Sequence, residues 1–216
     1  EGDQVAGYAA SWLEHERDGY ISFAELRGLF HIFSVIVDAK SSFTSKHSDA
    51  VARLARFLGE QMGLDQRCCE LLELAGLLHD LGKLRVPDEY LEKPGKLSDE
   101  EYAIVRRHSF DTYNVLKNIR GLEDVALWAA QHHERVDGSG YPYHLRKNEL
   151  SLEARIVAVA DVFQALEQQR PYRGPLPPES ILAVLREEEQ AGKLDPDVIA
   201  CVAANLDECW RIAFID

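Results

Sequence analysis

The chain of 216 residues is short of several features that define common protein classes. It has four cysteines, Cys68, Cys69, Cys201 and Cys209, and no C-x-x-C pair. Such spacing makes neither a disulfide framework nor a zinc knuckle, and a reducing cytoplasm is the simplest home for it. No apolar run approaches the roughly 18–20 residues of a membrane-spanning helix. The longest, residues 29–37, is interrupted by His31. There is no secretory signal pattern. The chain begins at Glu1 rather than Met, so residues upstream are expected. It contains no Walker loop, no G-x-G-x-x-G and no G-x-S-x-G. Positive charge is scarce as well: 24 Lys+Arg stand against 37 Asp+Glu, a formal net charge of −13. That balance argues against a protein that coats duplex nucleic acid or an anionic membrane. It leaves room for a small anionic substrate at a locally positive site. The deficit lies mostly in the chain ends, since residues 41–186 hold 22 acids and 19 bases.

What is present points to one helical domain. Hydrophobic residues make up 46% of the chain, too many for disorder. The length suits one core with a small appendage. Apolar residues recur at helical spacing nearly throughout, as in Val51, Leu54, Ala55, Leu58 and Met62. Residues 71–78 are apolar on most sides, which predicts a central buried helix. Ser98 with Glu101 reads as a capping box opening another helix. Further helices are predicted over 122–133, 152–169, 179–190 and 196–204. Pro87, Pro94-Gly95, residues 138–142 and residues 173–178 mark loops. The fold class is therefore all-α, a bundle of about seven to nine helices.

Chemistry is concentrated in His47, His79-Asp80, His108, His132-His133 and Asp161. Five imidazoles and two carboxylates could hold two metal ions, one carboxylate bridging. Without thiolate this donor set suits Fe, Mn, Co, Ni or Zn. A two-metal site generates hydroxide at neutral pH and stabilises both oxygens in phosphoester cleavage. Any one of these histidines alone would read as a surface or capping residue, and spacing leaves the two readings about even.

Longer motifs carry a family resemblance. Leu77-Leu78-His79-Asp80-Leu81-Gly82-Lys83 resembles the HD signature of metal-dependent phosphohydrolases. Residues 132–142, His-His-Glu-Arg-Val-Asp-Gly-Ser-Gly-Tyr-Pro, resemble the extended GYP signature. Residues 153–163 and Arg170-Pro171-Tyr172-Arg173 follow in matching order and spacing. Over about residues 35–210 the chain is similar to HD-GYP domains, a bacterial class that hydrolyses cyclic di-GMP. The resemblance implies a helical HD domain with a dinuclear centre in its core. Its metal ligands would be His47, His79, Asp80, His108, His132, His133 and Asp161. Asp80 would bridge, and a hydroxide held between the metals would attack phosphorus, with Lys83 as a point charge on a phosphate oxygen. Iron or manganese is the expected metal, with nickel, cobalt and zinc as alternatives. Arg170 and Arg173 would face the substrate phosphates. Gly138 and Gly140 permit a tight turn with positive φ, and Gly140-Tyr141 would border the substrate. The expected partners are a cyclic dinucleotide, a second copy of the chain and an upstream sensory or regulatory domain.

Departures from the family pattern bear on activity. Phe43 stands where some members carry a Glu that helps hold a third metal, which favours two metals and pGpG as product over GMP. Gln164 and Glu167 replace the usual Asp and Thr, and Lys147 a usual Gly. These changes fall near the expected cleft. They support the alternative of a signalling module that binds dinucleotide with little turnover. A mononucleotide phosphohydrolase is a third reading, opposed by the GYP stretch.

Residues 1–34 read as a separate helix–loop–helix segment, with residues 35–216 as the catalytic domain. Glu14, Glu16, Asp18, Gly19 and Glu25 fall at positions 1, 3, 5, 6 and 12 of a calcium loop. The segment resembles a single EF-hand, which would bind calcium through Glu14, Glu16, Asp18 and Glu25. The plainer alternative is a solvated acidic turn.

Overall fold

The computed structural model describes residues 21–40, 46–168 and 174–214. Among these it contains ten α-helices and no named strand. They are α1 (Phe23–Lys40), α2 (His47–Gln61), α3 (Gln66–Leu78), α4 (Asp88–Leu91), α5 (Asp99–Leu116), α6 (Glu123–Ala130), α7 (Leu152–Glu167), α8 (Pro178–Gln190), α9 (Pro196–Ala204) and α10 (Leu206–Ala213). Short 3-10 turns cover Leu81–Arg85 and Lys147–Glu149. The all-α expectation holds. The count exceeds seven to nine through the single turn α4 and through α10, a helix over Leu206–Ala213 that lies beyond the one predicted for 196–204.

Capping chemistry sets several starts. Asp65 accepts from Cys68 N (2.9 Å) at the head of α3, and Ser151 from Ala154 N (3.2 Å) at the head of α7. The Ser98–Glu101 capping box is present in both directions, at 3.2 and 2.8 Å. Two predicted ends come early. The helix predicted over 122–133 stops at Ala130, and that over 152–169 stops at Glu167.

Helices α3 and α7 form the middle of the bundle. Leu72, Leu74, Leu77 and Leu78 of α3 and Ile156, Val157, Val159 and Phe163 of α7 are buried. Helices α2, α6, α8, α9 and α10 enclose them, each contributing buried side chains to one core. Fully burying side chains of this size is worth about 1.5–3 kcal/mol each before entropy is counted. Helix α1 runs unbroken across the expected division at residues 34/35. Its Arg27 reaches Glu73 on α3 and Asp49 on α2, the latter at 3.1 Å. Phe30 and Val37 join the core.

The calcium-loop reading is not borne out. Glu14, Glu16 and Asp18 lie outside the described residues. The Glu25 carboxylate accepts from Ser22 N (2.9 Å) and Ser22 Oγ (2.6 Å), while Glu25 N donates to Ser22 Oγ (3.3 Å). This is the capping box of α1, and it accounts for Glu25 without a cation.

Candidate metal centre

The seven predicted His and Asp residues converge from five places in the chain. His47 opens α2, His79 and Asp80 end α3, His108 lies on α5, His132 and His133 follow α6, and Asp161 lies on α7. The helix carrying the HD pair does not continue through it. His79 is the C-cap of α3, and Asp80, with φ −96° and ψ 6°, turns the chain into the 3-10 segment. The early end of α6 has the same consequence: His132 and His133 sit on a turn and both reach the centre.

Hydrogen bonds fix the ring tautomers. The Nδ1–H of His79 donates to Gly76 O (2.7 Å), that of His108 to Val105 O (2.7 Å) and that of His132 to Ala129 O (2.6 Å). A carbonyl oxygen only accepts, so each Nδ1 carries a proton and Nε2 is the atom each ring turns inward, as a lone pair wherever the ring is neutral. His47 Nδ1 donates to the carboxamide oxygen of Gln164 in the same manner. The inward atoms then crowd one another. His47 Nε2 is 3.2 Å from His79 Nε2, and His108 Nε2 is 3.3 Å from His132 Nε2.

Asp80 stands between the two sets. Its Oδ2 is 3.3 Å from His79 Nε2 and 4.0 Å from His47 Nε2. Its Oδ1 is 3.4 Å from His108 Nε2 and 3.8 Å from His132 Nε2. That Oδ1 is buried and has no hydrogen-bond partner among the described residues. Asp161 behaves similarly: Oδ1 lies 3.3 Å from His47 Nε2 and Oδ2 3.9 Å from His133 Nδ1. Two ligand trios result, His47–His79–Asp80 and His108–His132–His133. Facing lone pairs and an orphaned buried carboxylate oxygen are costly as they stand. Cations remove that cost, so the residues fit two metal ions, and soft thiolate is absent from the set.

Electrostatics agree with the geometry. Burial pushes the pKa of His108 down, and that of His133 down to about 3. Burial and the His133 ring together hold His132 well below the usual range. All three are thus neutral, as a metal ligand must be. Burial opposes ionisation of Asp80, yet Lys83 and the histidines outweigh it and hold Asp80 well below the carboxylate range. His79 is the exception. Burial lowers its pKa, but Asp80 and Asp161 raise it to about 9, favouring charge where a cation would sit.

The surrounding residues divide by location. Lys83 Nζ donates to Asp80 Oδ2 from three residues on, one turn along the 3-10 segment. The Tyr141 ring lies 4.8 Å from the His133 ring. Gly138 has positive φ (85°) as expected, whereas Gly140 does not. Gly140 is required for space instead, because a Cβ there would stand 2.3 Å from Arg135 N. Lys147 points away from the centre, to Asp195 (3.0 Å) and Asp197 (3.4 Å). Glu167 is buried at the end of α7. Arg170, Arg173 and Phe43 lie outside the described residues. Sequence reasoning missed Glu134, whose buried carboxylate accepts from Tyr143 N (2.6 Å) and Leu145 N (3.0 Å) and pins the glycine loop. Its position directly after two histidines was the available signal. Arg106, over the Tyr141 ring at 4.4 Å, had no such signal.

Comparison with known proteins places the chain. The HD domain family model matches residues 31–198. A 3'3'-cGAMP-specific phosphodiesterase 1 of Vibrio cholerae is 41% identical over 192 residues, 89% of this chain and 44% of that protein. The cyclic di-GMP phosphodiesterase response regulator RpfG of Xanthomonas campestris is 41% identical over 173 residues, 79% of this chain and 44% of that protein. A crystal structure of a V. cholerae cyclic GMP-AMP phosphodiesterase, V-cGAP3, superposes with a TM-score of 0.54 at 34% identity, over 87% of this chain and 42% of that one. A Bdellovibrio bacteriovorus protein of the HD-GYP type shares the fold at TM-score 0.64 and 20% identity, over 86% of this chain and 63% of that one. The chain belongs to the HD domain family, in its HD-GYP group. It spans under half the length of the curated relatives it matches.

Proposed function

We propose that the chain is the catalytic part of a metal-dependent cyclic-dinucleotide phosphodiesterase. The observation that carries this reading is the split of Asp80, one oxygen toward each histidine set, with Lys83 on its outer side. The relatives' names supply the substrate class. His47, His79, His108, His132, His133, Asp80 and Asp161 would hold two divalent cations, iron or manganese first. Such cations supply positive charge at phosphorus and a nucleophile from water at neutral pH. The chain's own residues do the rest. The backbone carbonyls at Gly76, Val105 and Ala129 hold three imidazoles in the ligating tautomer. Lys83 sets its charge beside Asp80, in reach of a phosphate oxygen. Arg170 and Arg173 are proposed to pair with phosphate.

Cyclic di-GMP, opened to pGpG, is the first substrate proposed. 3'3'-cGAMP is a second, favoured by the V. cholerae relative that matches 89% of this chain. Purified protein loaded with Fe(II) or Mn(II) should hydrolyse at least one of them, with products resolved by chromatography. Binding without turnover under both metals would replace this reading with that of a dinucleotide-binding signalling module.

A further inference from the structure

The centre is most exposed on the His133 side. Among the seven converging residues, the His133 side chain is the most exposed at 24%, and His132 is fully enclosed. Tyr141 covers that side, its ring 4.8 Å from His133 and 6.4 Å from His108. Over the Tyr141 ring, at 4.4 Å, stands the guanidinium of Arg106, which also lies 5.7 Å from the Tyr102 ring one turn back on α5. Its neighbours in sequence and space are spoken for: Arg107 and Arg85 both pair with Asp111, at 3.5 and 3.0 Å. Arg106 has aromatic rings beside it and no carboxylate among the described residues. An arginine against an aromatic face keeps its in-plane N–H groups available, and those form the fork that matches two phosphate oxygens.

A cyclic dinucleotide carries two phosphodiesters. When one lies at the Asp80 centre, the other still bears its charge, and a cation beside it, in addition to Arg170 and Arg173, would strengthen binding. Resting on the proposed function above, we infer that Arg106 is a substrate-binding residue that takes the phosphodiester not being cleaved, with Tyr141 as the floor that orients it. Arg106 thereby separates substrates with two phosphodiesters from those with one.

The test compares wild type, Arg106→Ala and Arg106→Lys in the metal-loaded full chain. Each is assayed on cyclic di-GMP, on 3'3'-cGAMP and on bis(p-nitrophenyl) phosphate, a diester with a single phosphorus. Arg106→Ala should raise KM for the hydrolysed cyclic dinucleotide roughly tenfold to a hundredfold with little change in kcat. Hydrolysis of the simple diester should stay within about twofold of wild type, since it lacks the second phosphodiester. Arg106→Lys should recover part of the loss, keeping charge without the fork. An unchanged KM for the dinucleotide overturns the inference. Equal losses on both substrate types overturn it too, because Arg106 would then act only by propping Tyr141. Wild type that cleaves the simple diester and neither dinucleotide overturns the proposed function itself, an outcome distinct from failure of Arg106 alone.

Discussion

His108 and His132 bring their Nε2 atoms to 3.3 Å while both Nδ1 atoms are committed to backbone carbonyls. Neither Nε2 has a proton to offer the other, so the apposition is repulsive, and a bound cation would relieve it. The fold thus holds a cost that metal relieves, and metal should stabilise the native state. At a free metal concentration of about 100 times Kd the gain is about 2.7 kcal/mol. For a domain of this size that is roughly 5–10 °C in Tm. Thermal melts with and without chelator check it. Superimposable melts would show that the centre does not bind metal in the folded protein.

Lys83 reaches Asp80 Oδ2 from outside the cluster. Lys83→Ala is expected to lower kcat about 10²-fold, the scale of losing one charged donor at a reacting oxygen. Metal content, measured by elemental analysis, should stay at the wild-type ratio. A parallel loss of metal would instead assign Lys83 to holding Asp80 in place.

Much of this was readable in the sequence, and the unread part has a physical pattern. The helical class followed from apolar spacing, and capping residues such as Ser98 and Ser151 fixed starts. Metal-ligand candidates were visible because two pairs, His79-Asp80 and His132-His133, are adjacent in the chain. What spacing did not reveal was how the helices end. The chain leaves α3 at His79 and α6 at Ala130, and those exits aim the side chains inward. Contacts between distant elements were equally hidden. Its neighbours in sequence place Lys147 by the cleft, but Asp195, 48 positions on, draws it away. The Gln164–His47 bond joins residues 117 positions apart, and no local pattern announces it.

That bond is the basis of a third prediction. A metal-ligating imidazole is oriented and made more basic by the acceptor on its other nitrogen, and losing that acceptor costs about 10–100-fold in metal affinity. Gln164→Ala should weaken metal binding by that order. Gln164→Asp, which offers a charged acceptor, should bind at least as tightly as wild type. Competition against a chromophoric chelator measures both, and equal affinities across the series would remove Gln164 from the centre.

The position a Cβ would take at Gly140 is filled by the backbone of Glu134 and Arg135. A methyl group there would stand 2.3 Å from Arg135 N and 2.5 Å from Glu134 Cα. Neither is a movable side-chain end, so the loop must shift. Gly140→Ala is expected to cost about 2 kcal/mol or more and to displace Tyr141 from His133. Denaturant melts give the first quantity. Retained stability would mean that the loop has room the structure does not show.

Asp195 yields the pH dependence. Its side chain is enclosed, accepts from Arg155 Nη1, pairs with Lys147 Nζ at 3.0 Å, and caps α9 through Asp197 N at 2.9 Å. Burial favours the neutral acid, but the bonds to Arg155 and Lys147 outweigh it and hold the pKa below the ordinary value. Near that value the native state binds fewer protons than the unfolded chain, so stability rises with pH. The contribution is complete above the unfolded pKa of about 3.9 and is lost as pH falls through the lower folded pKa. Asp195→Asn keeps a capping oxygen and removes the charge, leaving Arg155 without its buried partner. It should cost about 3 kcal/mol at pH 7, and the gap to wild type should narrow below pH of about 4. Urea melts from pH 7 to pH 3 measure the gap, and one that stays constant across that range would show that the pair contributes nothing through its charge.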